Sequence, residues 1–175
     1  MLFRSTCVGQ RLAAEALALA GDNGAIIAYT DAGPAYGTAA GNAQLAAFQS
    51  ALKNHAKLTI VPPANYETYR QITEQQGLPA DVVTELFRRH ATARVIVSFV
   101  GVPRCPVPAD RPAPKLIALD TSGTANWGEW FDHGNLSAVI FSREGPKAQP
   151  TDDCAKLFNA WFAIATRDNY RQFQP

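Results

Sequence analysis

Eight side chains able to bind or transform a solute lie just after short apolar segments of this 175-residue chain. Carboxylates, a carboxamide and a hydroxyl exchange hydrogen bonds with polar groups, aromatic rings offer apolar stacking surface, and an arginine pairs with anions. The same residue types also favour turns and helix caps, which is the alternative interpretation for each of them. The candidate ligand-binding residues are Asp31, Tyr36, Asn65, Tyr66, Asp120, Ser122, Trp127 and Arg143.

One segment has a catalytic pattern. Residues 116–124 read as an apolar strand, then Asp120, a small polar pair and Gly-Thr. This order resembles the nucleophile motif of haloacid-dehalogenase-type phosphatases and P-type ATPases, in which an Asp attacks phosphorus while backbone N–H groups hold the phosphate. The sequence departs from the phosphatase form, which expects a second Asp at Ser122, and from the ATPase form, which expects Lys at Thr121. Asp120 is therefore an alternative catalytic residue, with a capping Asp on a turn as the competing interpretation.

Other motifs of catalysis and cofactor binding are missing from the sequence. It contains no Gly-x-Ser-x-Gly nucleophile elbow, no Gly-x-Gly-x-x-Gly fingerprint and no Walker A motif. Phe99, Val100 and Gly101 stand where a receiver domain would need its phosphate-accepting Asp. The three histidines lack metal-ligand spacing to one another or to the cysteines. We therefore expect no cofactor and no metal, and favour a non-enzymatic protein.

The cysteines leave three interpretations open. Cys7 and Cys154 each begin a predicted helix that runs against the strand direction, and Cys105 follows the third predicted strand. All three are therefore predicted at one edge of the sheet, where thiols at helix N-termini are the more reactive ones. Buried, unreactive thiols are the second interpretation. A disulfide between Cys7 and Cys154, tying the two terminal helices together, is the third, and only geometry can decide.

The elements that must position these residues follow from the hydrophobic pattern. Five short apolar strands are predicted at 25–29, 57–61, 94–100, 115–119 and 136–141. Helices are predicted from about Cys7 to Ala20, after Thr38, at 65–76, from about 78 to His90, around Trp127 to Phe131, and from near Asp152 to Ala165. Strands that alternate with helices in this way are typical of a parallel sheet with helices on both faces.

We therefore predict one α/β domain over residues 1–175, a three-layer sandwich with a five-stranded parallel sheet in the flavodoxin-like order 2-1-3-4-5. An N-terminal helix occupies residues 1–21, and residues 101–114 form a proline-rich loop. In such sheets, ligands sit outside the carboxyl ends of the strands. This rule places the eight candidate residues on a single edge.

Composition and charge exclude several classes of protein. The 16 Lys and Arg against 15 Asp and Glu leave a net charge of +1, so nothing marks a nucleic-acid-binding surface. Charged residues make up only 18% and hydrophobic residues 47%, which indicates a folded core. No apolar run approaches the ~18 residues of a membrane helix. No signal-peptide core follows Met1, so the protein is either cytoplasmic or, if a leader or anchor has been removed, extracytoplasmic.

Most of the chain resembles one lobe of the type I periplasmic binding proteins. The matching runs are helical residues 12–17 and 48–52, and strand residues 24–29, 58–61, 95–100 and 134–140. Members of that family have two such lobes and bind sugars, amino acids or related small molecules between them. The resemblance implies that this chain is a single lobe whose binding surface lies at the carboxyl edge of the sheet. That surface would bind a small-molecule solute or a protein partner that completes the cleft.

The function predicted from the sequence is a non-enzymatic module resembling a single solute-binding lobe. The alternatives are a phosphatase that uses Asp120 and a structural domain of an envelope assembly. Trp127 and Trp130, with Phe131 beside them, exceed what a short helix needs to pack on a sheet. We therefore predict that one tryptophan projects over the edge as a stacking platform or interface anchor, with core packing as the alternative.

Overall fold

The computed structural model describes residues 2–75, 77–104, 114–120, 127–132, 135–143 and 151–173. Within these ranges the chain forms six helices and six strands, in the order α1 (Leu2–Ala20), β1 (Ala25–Tyr29), α2 (Ala39–Leu52), β2 (Lys57–Val61), α3 (Tyr66–Gln75), α4 (Ala80–Arg89), β3 (Val95–Ser98), β4 (Lys115–Asp120), α5 (Gly128–Asp132), β5 (Leu136–Ser142), α6 (Cys154–Trp161) and β6 (Phe162–Thr166). A 3₁₀ turn at Tyr170–Gln172 follows β6.

The strands form one sheet in the order β2-β1-β3-β4-β5-β6. The first five are parallel, with Ile26 of β1 opposite Leu58 of β2 on one side and Val95 of β3 on the other. This confirms the predicted three-layer α/β fold and the order 2-1-3-4-5. All five predicted strands are present, and β1 and β2 have the predicted bounds.

The end of the chain differs from the prediction, because residues 162–166 form a sixth strand and not the last turns of a helix. Strand β6 runs antiparallel to β5, with Phe162 opposite Ser142. Ala163 and Ala165 are buried, whereas Phe162, Ile164 and Thr166, which alternate with them, are half-buried. The apolar run at 162–165 is too short for its hydrophobic spacing to distinguish a strand from a helix, so the sequence pattern fits both.

Helices cover both faces of the sheet. Val8 and Leu12 of α1, Phe48 of α2 and Phe158 of α6 pack on one face. Ile72 of α3, Val83 and Phe87 of α4 and Trp130 of α5 pack on the other. Helix α1 begins at Leu2, five residues before the predicted start near Cys7, and Thr6 lies inside it and donates its hydroxyl to the Leu2 carbonyl.

Cys7 and Cys154 form a disulfide with their Cα atoms 5.2 Å apart, which decides between the three interpretations for this pair. Because β6 is antiparallel, it begins at the carboxyl edge of the sheet, and the last residue of α6, which directly precedes β6, lies at that edge. The Arg143 N–H donates to the carbonyl of Trp161, the last residue of α6, at 2.8 Å. Cys105 lies outside the described residues.

None of the helices in the described ranges combines the length and the apolar character needed to span a lipid bilayer.

Candidate functional site

The carboxyl edge of the sheet has a crevice where neighbouring connections leave in opposite directions. The connection after β1 leads to α2 on one face, and the connection after β2 leads to α3 and α4 on the other face. The residues that follow β3 also pass to the α4 face, where Val102 is buried and Pro103 pairs with Leu78, so the segments after β1 and β3 diverge. This is the arrangement that binds ligands in open α/β sheets. The two strands remain paired to their ends, since the Phe99 N–H donates to the Tyr29 carbonyl at 2.9 Å.

The loop after β1 is held in shape by short-range hydrogen bonds. Thr30 is buried, and its hydroxyl accepts from the Ala32 N–H at 3.0 Å. Asn42 Oδ1 accepts from the Gly33 N–H at 2.8 Å. A Cβ on Gly37 would lie 2.4 Å from the Gly33 nitrogen, so this close approach requires glycine. The loop thus presents its polar and aromatic side chains from a fixed backbone.

Asp31 is half-buried in this loop. Burial raises the pKa of its carboxyl group above the ordinary 3.8, and a hydrogen bond from its own backbone partly opposes that shift. A carboxylate that has lost part of its hydration gains from any donor that approaches it. Asp31 is therefore well placed to accept a hydrogen bond from a hydroxyl group of a solute.

Three tyrosines meet above the ends of β1 and β2, and we call Tyr36, Tyr66 and Tyr69 the tyrosine cluster. The rings of Tyr36 and Tyr69 stack with centroids 4.4 Å apart and planes 11° apart. The Tyr66 ring lies 6.3 Å from Tyr36 and 6.2 Å from Tyr69, and this residue is 63% exposed. The cluster thus offers the exposed ring of Tyr66, which is supported by the stacked rings of Tyr36 and Tyr69.

Sequence reasoning found Tyr36 and Tyr66 but missed Tyr69. The signal was present, because residues three apart share one face of a helix and Tyr66 and Tyr69 both belong to α3. Asn65 lies at the predicted place, but its side chain caps α3. Its Oδ1 accepts from the Thr68 N–H at 2.9 Å and from the Thr68 hydroxyl at 3.1 Å.

A second group of candidates lies at the ends of β4 and β5. Asp120 is 2% exposed and accepts a hydrogen bond from the Trp127 indole N–H at 2.9 Å. Trp127 and Trp130 are both buried, so the prediction of a tryptophan projecting over the edge as a platform is wrong. The burial of Asp120 lends no support to attack on a phosphate ester. Arg143 is exposed just beyond β5, and Ser122 lies outside the described residues.

The structure therefore divides the predicted site in two. Asp31, Tyr36, Asn65 and Tyr66 lie in the segments just after β1 and β2, which we call the β1–β2 corner. Asp120 ends β4, Trp127 directly precedes α5 and Arg143 follows β5. Neighbouring strands are about 4.8 Å apart, so β1 and β4 are separated by about 10 Å and β2 and β5 by about 19 Å. The second group therefore lies across the sheet from the first.

A groove of about 310 Å³ runs down from the β1–β2 corner along α4, and we call it the α4 groove. Its apolar floor includes Val61, Val82 and Leu86, and Asp81 is among its polar side chains. Burial, and secondarily the charge of Asp81, raises the pKa of Tyr29 in this groove to about 12.

Across the described part of the chain, no three His, Cys, Asp or Glu side chains are grouped to hold a metal ion.

Neither a protein-family model nor a curated protein sequence matches this chain. Solved structures share its fold at low sequence identity. An ABC transporter solute-binding protein from Burkholderia graminis C4D1M, in complex with D-arabinose, aligns with a TM-score of 0.62 and 13% identity over 98% of this chain and 62% of that chain. A sugar-binding protein of a sugar ABC transporter from Bacillus halodurans aligns with a TM-score of 0.60 and 12% identity, over 97% and 64%.

AraP, an arabinose-binding protein from Geobacillus stearothermophilus, aligns with a TM-score of 0.58 and 12% identity, over 98% of this chain and 63% of that chain. This chain thus spans less than two thirds of the length of each of these proteins. The alignments confirm the resemblance found in the sequence: the chain has the fold of one lobe of a type I periplasmic sugar-binding protein.

Proposed function

We propose that this chain is a non-enzymatic binding module that takes a small polyhydroxylated solute at the β1–β2 corner of its carboxyl edge. The observation that carries the proposal is the tyrosine cluster with its exposed Tyr66 ring, on the same edge of the sheet as half-buried Asp31. The solved proteins of like fold include sugar-binding proteins, which supports this class of solute.

The chemistry of a sugar fits this pair of features. One face of a sugar ring carries C–H groups that pack on an aromatic ring, and the exposed ring of Tyr66 supplies such a surface. The hydroxyl groups at the rim of the sugar donate hydrogen bonds, and the Asp31 carboxylate accepts them without losing a full hydration shell. A few placed polar groups beside apolar stacking surface are the usual composition of a small-molecule site.

The site as described has one wall. The like-folded proteins are longer than this chain, so we propose that a second polypeptide segment or a partner protein closes the other side of the solute. A one-sided surface buries little of a ligand, and we expect binding by this chain alone to be weak, on the order of millimolar. Arg143, which is exposed on the far side of the crevice, is proposed to meet that second wall or a larger solute.

The disulfide between Cys7 and Cys154 supports an extracytoplasmic location, because such bonds persist in oxidising compartments and are rare in the cytosol. Alkylation of free thiols at the moment of cell lysis, followed by peptide mass analysis, tests this proposal. Cys7 and Cys154 are expected to escape labelling. Labelling of both in most molecules would place the protein in a reducing compartment.

Solute binding is tested by titrating D-arabinose and other monosaccharides into the full chain and following backbone amide shifts by NMR. Shifts are expected around Asp31, Tyr36 and Tyr66, and Tyr66→Ala is expected to weaken binding by about tenfold, since it removes a stacking face. Tyr170→Phe is the matched control, because Tyr170 is buried beneath the opposite edge and bonds Asp132. Shifts that avoid this corner, or equal affinity in both variants, would contradict the proposal.

A further inference from the structure

Strand β2 is one edge of the sheet, and its outward backbone groups can be identified from the parallel ladder. The Lys57 N–H donates to the Gly24 carbonyl, and the Val61 carbonyl accepts from the Thr30 N–H, each at 3.1 Å. Along a strand the two sides alternate, so Lys57, Thr59 and Val61 bond to β1. The N–H and C=O groups of Leu58 and Ile60 therefore point away from the sheet.

The opposite edge of the sheet is closed by a side chain. Asn169 donates through Nδ2 to the Ile164 carbonyl at 3.2 Å, and its Oδ1 accepts from the Thr166 N–H at 2.6 Å. These contacts occupy backbone groups of β6 that a further strand would need. In the described residues β2 has no comparable side-chain cap. Unprotected edges are templates for pairing with another chain, and proteins usually block them.

The side chains of β2 divide between the two faces of the sheet. Leu58 and Ile60 are half-buried on the α2 side, where a groove of about 480 Å³ includes Leu58 in its lining. Lys57 and Thr59 are exposed on the α4 side, where Val61 lines the α4 groove. The strand thus offers apolar surface on one face and polar surface on the other.

We propose that β2 pairs antiparallel with β2 of a second copy of this chain, about a two-fold axis that passes beside Thr59. In this register Leu58 lies opposite Ile60 of the second copy, and Thr59 lies opposite its own counterpart. The two Leu58–Ile60 pairs exchange both backbone hydrogen bonds, so all the outward groups of both strands are satisfied. The two six-stranded sheets become one continuous sheet.

Neighbouring two-fold registers satisfy fewer groups. Centring the axis on Ile60 places Leu58 opposite Pro62, which has no N–H to donate. Centring it on Leu58 places Ile60 opposite Ala56, whose N–H already donates to the Leu52 carbonyl at 3.2 Å. The register centred on Thr59 is therefore the one that these backbone groups select.

Side chains and charges agree with the same register. On the α2 side, each Leu58 packs against Ile60 of the other copy, and on the axis the two Thr59 side chains meet, both favourable cross-strand pairs. Each Lys57 lies opposite Val61 of the other copy and faces that copy's α4 groove, whose lining includes Asp81, Glu85 and Arg89, with Glu85 and Arg89 paired to each other. The two Lys57 side chains stand at opposite ends of the junction, so they do not repel each other.

The first test measures self-association of the full chain by sedimentation equilibrium over a range of concentrations. A monomer–dimer equilibrium is expected, and Thr59→Lys is expected to weaken it by at least about tenfold, because it places like charges opposite each other on the axis. Ala18→Lys adds the same charge at an exposed position of α1 and serves as the control. A chain that stays monomeric throughout, or a Thr59→Lys variant that dimerises like the control, would overturn the proposal.

The second test reads the register by oxidative cross-linking in a Cys105→Ser background. Thr59→Cys places two thiols on residues whose Cα atoms would be about 4.5 Å apart, within reach of a disulfide. Lys57→Cys places them four residues out of register, about 14 Å apart and beyond reach. Rapid dimer formation by the first variant alone supports the register, and equal rates in both variants refute it.

Discussion

Removing the disulfide between Cys7 and Cys154 is expected to cost a large share of the stability of this protein. The bond joins residues 147 positions apart, so it closes almost the whole chain into one loop. In the chain-entropy treatment, a loop of that length lowers the free energy of unfolding by about 5 kcal/mol when the bond is lost. Engineered and native bridges usually deliver less than this limit, and we expect a loss of about 3–5 kcal/mol.

The contacts that remain should keep the fold intact. Leu157 and Phe158 of α6 stay buried, and the Arg4 guanidinium lies 3.7 Å from the centre of the Trp161 ring. The loss therefore arises mainly from the unfolded chain, which becomes more expanded without the bond. A more expanded unfolded state exposes more surface, so the dependence of stability on urea should also become steeper.

The assay is urea unfolding of Cys7→Ser/Cys154→Ser, followed by circular dichroism and tryptophan fluorescence. Cys105→Ser is the matched control, because it removes a thiol and leaves the disulfide in place. If the double variant has the free energy of unfolding and the urea dependence of the control, to within about 0.5 kcal/mol, the cross-link does not act on the unfolded chain as argued.

Three further predictions follow from buried groups near the candidate site. Burial raises the pKa of Asp31, so this carboxyl group binds a proton more tightly in the folded protein than in the unfolded chain. The free energy of unfolding therefore falls as the pH rises through 3.8 and beyond. Asp31→Asn should therefore be slightly more stable than the wild type at neutral pH, by less than about 1 kcal/mol after solvent screening, and equal to it in acid, as measured by thermal unfolding. Tyr29, whose pKa is raised to about 12, should ionise well above free tyrosine in ultraviolet absorbance, and the stability it contributes should be lost between pH 10.0 and 12; a normal titration would contradict its burial beside Asp81. Ile72 of α3 is buried in the core, so Ile72→Ala should destabilise the protein by about 2–4 kcal/mol. The substitution should also loosen the tyrosine cluster, which would broaden the Tyr66 and Tyr69 resonances. Unchanged resonances would show that the cluster holds α3 in place without the Ile72 side chain.

Half of the candidate site could be predicted from the sequence, because it depends on local signals. Short apolar runs predicted the strands, and Tyr36 and Tyr66, which follow β1 and β2, meet at the β1–β2 corner. The edge on which they meet follows from the parallel order, in which all the carboxyl ends point the same way. Local pattern plus one topological rule was sufficient for that corner.

The rest depended on contacts between distant parts of the chain. The run after Trp161 became a strand because β5 offered it a partner, which no local periodicity records. Trp127 is buried and donates its indole N–H to the Asp120 carboxylate. A residue predicted as a candidate stacking platform is therefore part of the core.

The sequence by itself determined the alternation of helices and strands. A strand that is buried on both faces consists of consecutive apolar residues, and such a run can be recognised in the sequence. The tertiary structure alone decided which side chains meet. The spacing of strands places β4 and β5 too far from β2 for one compact site. The antiparallel turn of β6 sets the end of α6 at the carboxyl edge and leaves β2 as the edge without a side-chain cap in the described residues. These are distances between strands and loops, and a hydrophobic pattern contains no information about them until the sheet is assembled.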